Sequence, residues 1–275
     1  MQRGIDVDSL SLAKKIVFVI KGKILALIVK KTNGQLFCKF INLFYKDSNL
    51  KFENDCYIKN YRNLKIYFPN KRILRLVNNP DLSFKRIYES YCLEYVSFEE
   101  GDVVVDCGAN VGELNLALFL NGKKIKYIAF EPDEKTFKCL SLNGEKFDTE
   151  IYNIALSNQE GETNFFLDNE GGNSSLVDFG TTSSVSVSTR TLDSFEFGKI
   201  KLIKIDAEGF EPEVLEGCIN SIKKTELISI DFGAERGENQ DTTIVEVNKF
   251  LYENNFELIK FSKYRLIGLY RNKSI

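Results

Sequence analysis

A ten-residue stretch, VVVDCGANVG at residues 103–112, constrains the fold of this chain more than any other. It begins with three β-branched residues and continues with Asp106. Two glycines, Gly108 and Gly112, then flank Asn110, and the helical pattern ELNLALFL follows directly. β-Branched residues favour strands, and glycines permit the tight turn that joins a strand to a helix. The stretch therefore predicts a buried strand, a glycine turn and a helix start whose backbone N–H groups face a ligand.

The next strand pattern indicates which kind of ligand this is. IKYIAFE ends in Glu131, nineteen residues after Gly112. An acid at the end of the second strand of a βαβ unit typically holds the hydroxyls of a nucleoside ribose. The turn has the spacing D-x-G-x-x-x-G, whereas dinucleotide-binding proteins use G-x-G-x-x-G. The negative charge of Asp106 disfavours a pyrophosphate and suits the sulfonium and amino-acid tail of S-adenosylmethionine.

Three alternatives to this interpretation stay open at this point. Glycines that serve only packing would make the stretch an ordinary strand–turn–helix. A nicotinamide-dependent oxidoreductase would also bind a nucleotide here, although the glycine spacing disfavours it. A non-catalytic binding module could use the same scaffold, because a fold does not imply a function.

The composition excludes several classes of protein. The 275 residues include 37 basic and 39 acidic side chains, so an extended nucleic-acid surface is not expected. There is no histidine, and the six cysteines form no C-x-x-C, which disfavours a zinc cluster. Histidine-dependent nucleophiles are excluded for the same reason. Several cysteines fall in apolar runs, as is typical of reduced core thiols in a cytoplasmic protein.

The pattern of the chain changes after its first third. Residues 1–83 predict an N-terminal extension or cap with a helix and short strands, and residues 84–275 predict an α/β domain. Two strand patterns at the carboxyl end are so close that they must pair antiparallel, which makes the sheet mostly parallel with a terminal antiparallel hairpin. Strands are predicted at 102–106, 125–131, 150–154, 200–206, 227–232, 256–261 and 265–270, and helices near 112–121, 133–146, 210–223 and 242–254.

The N-terminal extension contains a strongly apolar segment, residues 16–29, which is interrupted by Lys-Gly-Lys at 21–23. Neither apolar half is long enough to cross a bilayer. The favoured interpretation is a helix packed on the domain. The alternative is a membrane-surface or dimer helix, because a pair of lysines flanks each end. Under this alternative, residues 10–31 make a peripheral membrane contact or form a homo-oligomer.

Acidic residues cluster where two later strands end. The fourth strand ends KIDAEGFE, with Lys204 and Asp206 on one face and Glu208 in the turn, and the fifth strand ends at Asp231. Ligands of open α/β sheets bind at these carboxyl ends. Asp206, with a neighbouring acid or Lys204, is a candidate general base for a hydroxyl. Alternatively, Asp206, Glu208 and Asp231 hold Mg²⁺ or Mn²⁺. Glu211 is expected only to complement a helix N-terminus.

Two other segments are candidates for contact with the acceptor. The polar loop Glu170–Ser175 is rich in hydrogen-bonding groups, like surfaces that recognise sugars, but it is equally typical of an exposed hairpin tip. A helical pattern near residues 84–95 is expected to lie over the cleft. Contact of Glu89 or Tyr91 with the ligand is one alternative, but a surface position is favoured for both.

Five blocks of the sequence resemble the FkbM-type methyltransferases, over roughly residues 84–260. The resemblance implies a class I methyltransferase (Rossmann-like) fold with a seven-stranded sheet. It also implies S-adenosylmethionine-dependent O-methylation, often of sugars in glycans. The KID-x-EG-x-E pattern is more specific than the glycine turn. The blocks are VVVDCGANVGELNLAL, AFEPDEKTFKCLSLN, IYNIALSNQEGE, VSTRTLDSF and LIKIDAEGFEPEVLEGC.

The resemblance also assigns roles to individual residues. It implies that Glu131 takes the ribose and that Asp206 lies beside the transferred methyl. Many members end the fifth strand with a glutamate, where this chain has Asp231, and this variant favours a sugar of a bacterial surface glycan. The predicted cofactor-binding set comprises Asp106, Gly108, Ala109, Asn110, Gly112, Glu131, Pro132, Ala155 and Asp206.

Overall fold

A computed structural model describes residues 11–168, 174–181 and 183–275. They belong to two compact units, of which the first ends at Asn78 and the second comprises Asn79–Ile275. The first unit contains two helices, a three-stranded antiparallel sheet and a short 3₁₀ helix at Lys71–Leu76. Its elements are α1 (Leu12–Lys31), α2 (Gly34–Phe44), β1 (Leu50–Glu53), β2 (Cys56–Tyr61) and β3 (Leu64–Phe68).

Helix α2 is amphipathic, and its apolar face is buried in the first unit. Phe37 and Ile41, four residues apart on one face, are fully buried. Ile66 of the sheet and Ile73 of the 3₁₀ helix are fully buried as well. The hydroxyl of Tyr57 accepts a hydrogen bond of 2.9 Å from the first amide of α2 and thereby fixes the helix start.

Helix α1 is only partly covered in the structure, and the favoured prediction that it packs on the domain stays a prediction. Leu25, Ile28 and Val29 are half-buried, but the large apolar side chains of its opposite face are exposed, from Leu12 at 74% to Ile24 at 44%. The helix is apolar nearly all round, so packing on one side cannot cover the other. Across the described part of the chain, no helix meets the length and hydropathy that a membrane span requires.

The second unit begins with α3 (Pro80–Ser90) and is built around alternating strands and helices. All six cysteines of the chain are described, and each is buried, as predicted for core thiols. The remaining elements are β4 (Val103–Cys107), α4 (Glu113–Leu120), β5 (Lys126–Phe130), α5 (Glu134–Gly144), β6 (Thr149–Tyr152), β7 (Ala155–Leu156), β8 (Gly161–Phe166), β9 (Ser184–Arg190), β10 (Ile200–Ile205), α6 (Glu211–Glu216), β11 (Thr225–Asp231), β12 (Ala234–Arg236), β13 (Asp241–Thr242), α7 (Ile244–Glu253), β14 (Phe256–Phe261) and β15 (Ile267–Asn272).

Seven of these strands form the main sheet in the order β14-β15-β11-β10-β4-β5-β6. Six strands run in the same direction, and only β15 is antiparallel to its neighbours. The predicted fold class, a mostly parallel seven-stranded Rossmann-like sheet with a terminal antiparallel hairpin, is confirmed. The strand order reverses between β4 and β10, so the carboxyl ends of these strands mark the expected ligand crevice.

Between β6 and β10 the chain adds a small sheet of its own, in the order β7-β9-β8. The helix predicted at 210–223 is shorter in the structure, where α6 ends at Glu216. A Cβ atom on the next residue, Gly217, would lie 2.0 Å from the carbonyl oxygen of Ser157. This glycine thus lets the end of α6 pack closely against the segment that follows β7.

Gly217→Ala should destabilise the protein because the new methyl group has no space. We expect a loss of about 1–3 kcal/mol, the usual cost of overpacking. Gly198→Ala is the matched control, since a Cβ at Gly198 has no neighbour within 4 Å. Thermal unfolding of both variants measures the difference, and equal melting temperatures would contradict the close packing at Gly217.

Candidate active site

The glycine turn after β4 is shaped by the protein's own backbone. Gly108 has φ +72°, and a Cβ atom there would lie 2.0 Å from the carbonyl oxygen of Asp206. The amides of Gly108 and Ala109 donate to the carbonyl of Phe130 at 3.1 and 3.0 Å, and the amide of Gly112 donates to Ala109 at 2.9 Å. These three N–H groups are therefore bonded within the protein, and the prediction that amides at the start of α4 face a ligand stays a prediction. The glycine at 108 is required because the end of β10 approaches the turn so closely.

Glu131, at the end of β5, is fixed beside this turn. Its Oε2 accepts a hydrogen bond of 2.8 Å from the amide of Asn110, and its Oε1 accepts one of 3.0 Å from the amide of Asp133. The side chain is buried, and burial raises its pKa to about 7. Each carboxylate oxygen has a second lone pair, so both can still accept a hydrogen bond from a ligand.

Pro132 and Ala155 contribute differently from their predicted role as cofactor contacts. The carbonyl of Pro132 accepts a hydrogen bond of 3.0 Å from the amide group of Asn153, which ties together the segments after β5 and β6. The side chain of Ala155 is buried in a small apolar cluster with Phe165 and Val187. That side chain is therefore committed to the core, and only the backbone of Ala155 remains for a ligand.

A buried ion pair joins the two central strands. Lys204 Nζ lies 2.8 Å from Asp106 Oδ1, and the two side chains are only 3% and 1% exposed. The same ammonium donates to the carbonyls of Cys107 at 3.1 Å and Gly108 at 2.8 Å. The hydroxyl of Tyr127 donates to the second oxygen of Asp106. Both charged groups are thus fully engaged within the protein.

This pairing corrects two predictions. Burial, the largest single effect, lowers the pKa of Lys204, but the charges of Asp106 and Asp206, the Tyr91 hydroxyl and the hydrogen bond to Asp106 together outweigh it and raise that pKa above its usual value. An ammonium that stays protonated and has three oxygen partners cannot act as a general base. Asp106 is likewise neutralised by Lys204, so its charge is not directed at a sulfonium.

Asp206 and Asp231 end adjacent strands, as the sequence predicts, and share one guanidinium. The register of β10 and β11 places them side by side. Arg265 Nη1 lies 3.0 Å from Asp206 Oδ2, and its Nη2 lies 2.5 Å from Asp231 Oδ2. Against the effect of burial, Arg265 and Lys204 lower the pKa of Asp206 to about 2. Burial and the charge of Asp206 raise the pKa of Asp231 to about 8, because one cation cannot fully compensate two acids.

Arg265 was not among the predicted site residues, although the sequence contains a signal for it. It lies in the connection between β14 and β15, two residues before β15 begins. Since β15 pairs antiparallel with β11, with Ile267 opposite Asp231, its start lies at the carboxyl end of β11. A basic residue just before an antiparallel final strand is thus brought to the site by topology.

Tyr91 is buried, which contradicts its predicted surface position. Its hydroxyl donates a hydrogen bond of 2.6 Å to Asp206 Oδ2, and its carbonyl accepts one of 2.9 Å from the hydroxyl of Ser229. The Nζ of Lys204 lies 5.3 Å from the centre of its ring. Glu89, the other candidate of this segment, instead accepts a hydrogen bond from the hydroxyl of Tyr264. Tyr91 therefore fixes one oxygen of Asp206 and leaves the other available.

Three carboxylates meet beside this oxygen. Asp206, Glu208 and Glu235 each present an oxygen atom within 4.8 Å of the other two. Asp206 Oδ1, Glu208 Oε2 and Glu235 Oε2 are buried and accept no hydrogen bond from the residues that the structure describes. Burial raises the pKa of Glu208 to about 10, and the charges of Asp206 and Glu235 contribute to the rise. Among the described residues, Glu235 thus takes the place that was predicted for Asp231 in a metal-binding set.

Two further residues shape the loop that carries Glu208. Glu211 accepts hydrogen bonds of 3.0 Å from the amides of Ala207 and Gly209, which is the structural role expected of it. The hydroxyl of Ser175 donates one of 2.8 Å to the carbonyl of Glu208. Ser175 belongs to the loop predicted to recognise a sugar, of which residues 170–173 lie outside the described residues.

A sequence profile described as the methyltransferase FkbM domain matches residues 106–258, which is more than half of the chain. The chain belongs to the FkbM methyltransferase family. The matched range contains the glycine turn, Glu131 and the Asp206–Glu208 segment, whereas Tyr91 and Arg265, which contact Asp206, lie outside it.

The individual relatives of this FkbM methyltransferase are distant. The hexuronic acid methyltransferase AglP of Haloferax volcanii is 28% identical over 142 residues, which are 50% of this chain and 58% of AglP. The methyltransferase sdnD of Sordaria araneosa is 27% identical over 173 residues, which are 49% of this chain and 67% of sdnD. The crystal structure of an FkbM methyltransferase from Methylobacillus flagellatus aligns over 94% of this chain and 60% of that one, with 14% identity and a TM-score of 0.45.

The family and its fold imply S-adenosylmethionine, and the residues of the site fit this molecule. Glu131 offers two acceptor positions beside the glycine turn, as a ribose requires. At the ends of β10 and β11, four carboxyl groups face the single guanidinium of Arg265. The excess of acidic groups suits the sulfonium cation of the cofactor. The buried acceptor oxygens suit a hydroxyl group that donates a hydrogen bond.

Lys204→Met should strongly destabilise the protein because it leaves Asp106 buried without its cation. Removing one partner of a buried ion pair costs about 3–5 kcal/mol. The double variant Lys204→Met/Asp106→Asn removes both charges and should recover part of this loss. Urea unfolding of the single and double variants measures both effects. A single variant as stable as the wild type would contradict the structural role of the pair.

Proposed function

We propose that this FkbM methyltransferase transfers a methyl group from S-adenosylmethionine to a hydroxyl of a sugar, in a glycan or glycoconjugate of the bacterial surface type. The observation that carries the proposal is Asp206, a buried carboxylate with one oxygen held by Tyr91 and Arg265 and the other without a partner. AglP, whose name describes a hexuronic acid methyltransferase, supports a sugar acceptor.

The charge of the site favours a hydroxyl over a carboxylate as the acceptor group. A hexuronic acid offers both. Among the described residues of the site, Arg265 is already shared by Asp206 and Asp231, and Lys204 is paired with Asp106, so an acceptor carboxylate would find no free cation. A neutral hydroxyl can instead donate its proton to one of the unpartnered oxygens. This argument supports O-methylation at an alcohol position.

S-adenosylmethionine, when bound, supplies a methyl group activated by its sulfonium. Glu131 is the residue that we assign to the ribose hydroxyls. Its carboxylate is positioned by the amides of Asn110 and Asp133 before any ligand arrives, so little reorganisation accompanies binding.

Asp206 Oδ1 is the atom that we assign to the acceptor proton. The low pKa of Asp206 keeps this oxygen ionised at neutral pH. The proton of a hydroxyl becomes strongly acidic as its oxygen is alkylated, so a weakly basic carboxylate suffices to accept it. Glu208, with its pKa of about 10, is protonated at neutral pH and can donate a hydrogen bond to the acceptor.

A second route uses a divalent cation in place of the base. Asp206, Glu208 and Glu235 would hold Mg²⁺ or Mn²⁺ through their clustered oxygens, and the cation would lower the pKa of the acceptor hydroxyl. A cation among these oxygens would offset the mutual repulsion that raises the pKa of Glu208, so its binding would release the proton of Glu208. We favour the metal-free route because the guanidinium of Arg265 already lies 3.0 Å from Asp206 Oδ2 and would repel a divalent cation held by that residue.

Glu131→Gln should weaken binding of S-adenosylhomocysteine at least tenfold at pH 8, because it removes a charge-assisted acceptor for the ribose. The carboxylate is charged above its pKa of about 7, so wild-type affinity should rise as the pH increases from 6 to 8. Glu211 and Asp231, with pKa values of about 7 and 8, also titrate in this range, but both are present in the variant as well. The Glu131-dependent part of the rise should therefore be missing from the variant.

Calorimetry at several pH values measures both effects. Glu134→Gln is the matched control, since Glu134 is exposed three residues further along the chain. Thermal melting without ligand verifies that each variant is folded. Affinity of the Glu131 variant equal to that of the control would refute the ribose assignment.

Asp206→Asn should lower kcat for methyl transfer about a hundredfold or more, the usual scale for the loss of acid–base assistance. Asp241→Asn, at an exposed position, is the control and should retain full activity. A panel of nucleotide sugars and glycans serves as acceptors in the assay.

EDTA treatment of the wild-type enzyme separates the two routes. Activity should persist after EDTA treatment, whereas loss of activity with recovery on adding Mg²⁺ or Mn²⁺ would establish the metal route.

A further inference from the structure

The first structural unit carries a charge that the net value of the chain conceals. Residues 11–78 contain 15 Lys or Arg and 3 Asp or Glu, a net charge of +12. Residues 79–275 contain 21 basic and 34 acidic side chains, a net charge of −13. The near-neutral total is the sum of these opposite parts. A basic unit of this size is attracted to an anionic surface.

The same unit exposes apolar side chains in an ordered pattern. Along α1, Leu12, Ile16, Val19, Ile20, Ile24 and Leu27 follow the spacing of one helical face, and each is 44–74% exposed. We call these six residues the α1 stripe. On α2, Leu36, Phe40 and Leu43 are 40–81% exposed at the same spacing, opposite the buried face of that helix. Contiguous exposed apolar surface of this kind marks an interaction site.

Lysines accompany the α1 stripe. Lys23 lies along the stripe, Lys21 lies near the middle of the helix, and Lys30 and Lys31 occupy its last turn, all with exposed side chains. Long lysine side chains can lay their methylene groups on apolar material while the ammonium reaches the polar headgroup layer. A helix of 20 residues is about 30 Å long and can lie flat in that layer.

We propose that the first unit is a peripheral membrane-binding module, in which the α1 stripe and the exposed face of α2 enter the interface of an anionic bilayer. Charge decides between this partner and a second copy of the chain. Two stripes on units of net charge +12 repel each other, whereas anionic lipid headgroups attract every one of these lysines. The proposal is independent of the reaction catalysed by the second unit.

Vesicle co-sedimentation of the full-length protein tests the proposal. Phosphatidylcholine vesicles with about one-third phosphatidylglycerol should bind the protein, and vesicles of phosphatidylcholine alone should bind it at least tenfold more weakly. Lys21→Glu/Lys23→Glu should weaken binding by about fivefold or more for each lysine. Higher salt should weaken binding as well, because it screens the attraction.

The double variant Ile16→Glu/Ile20→Glu places two charges in the α1 stripe and should reduce vesicle binding at least tenfold. Glutamate is a good helix former, so α1 itself should be retained. Val245→Glu is the matched control, since Val245 is 72% exposed on α7 of the second unit, and it should bind like the wild type. Circular dichroism and methyl transfer to a soluble acceptor should be unchanged in both variants.

Two results would overturn the proposal. One is a failure of the vesicle test: either the wild-type protein does not bind the anionic vesicles, or the stripe variants bind them as well as the wild type does. The other is a wild-type dimer in analytical ultracentrifugation that the stripe variant converts to a monomer while lipid binding is absent, which would assign the surface to self-association.

Discussion

A single buried ion pair organises the crevice on which the rest of the site depends. Lys204 of β10 and Asp106 of β4 are register partners on the two strands between which the strand order reverses. Each is almost fully buried, so each charge requires the other. Because the ammonium also binds the carbonyls of Cys107 and Gly108, the pair fixes the glycine turn against β10. The glycine turn lies between the two functional acids: its Asn110 amide binds Glu131, and its Gly108 packs against the carbonyl of Asp206.

Beyond this neutral pair, the site contains more acid than base. Arg265 is shared by Asp206 and Asp231, and Glu208 and Glu235 add further carboxyl groups without a compensating cation. Such an arrangement drives the pKa values of neighbouring acids apart, so that Asp206 is ionised while Glu208 is protonated. A pair of acids in opposite protonation states provides both an acceptor and a donor for a hydroxyl group. The methylation of a hydroxyl that we propose therefore needs no histidine.

The charge distribution separates the two structural units as clearly as their folds do. Basic residues and exposed apolar helices characterise the first unit, whereas the acidic second unit contains the whole site described above. Only the second unit carries the pattern of the FkbM family. The property that we propose for the first unit is a surface that concentrates the enzyme at a membrane.

The sequence by itself determined the periodic elements of the second unit and their order. β-Branched runs and helical spacing predicted the seven strands, and the parallel register placed Asp206 beside Asp231. It did not reveal which groups pair with these acids. Tyr91 and Arg265 contact Asp206 from 115 and 59 residues away, and Glu235 joins Glu208 across the ends of two strands. Local patterns report on backbone conformation, which depends on neighbours in the chain. Ionisation and hydrogen bonding depend on neighbours in space, so only the tertiary structure decided that Lys204 is a structural cation and that Asp206 keeps one oxygen free.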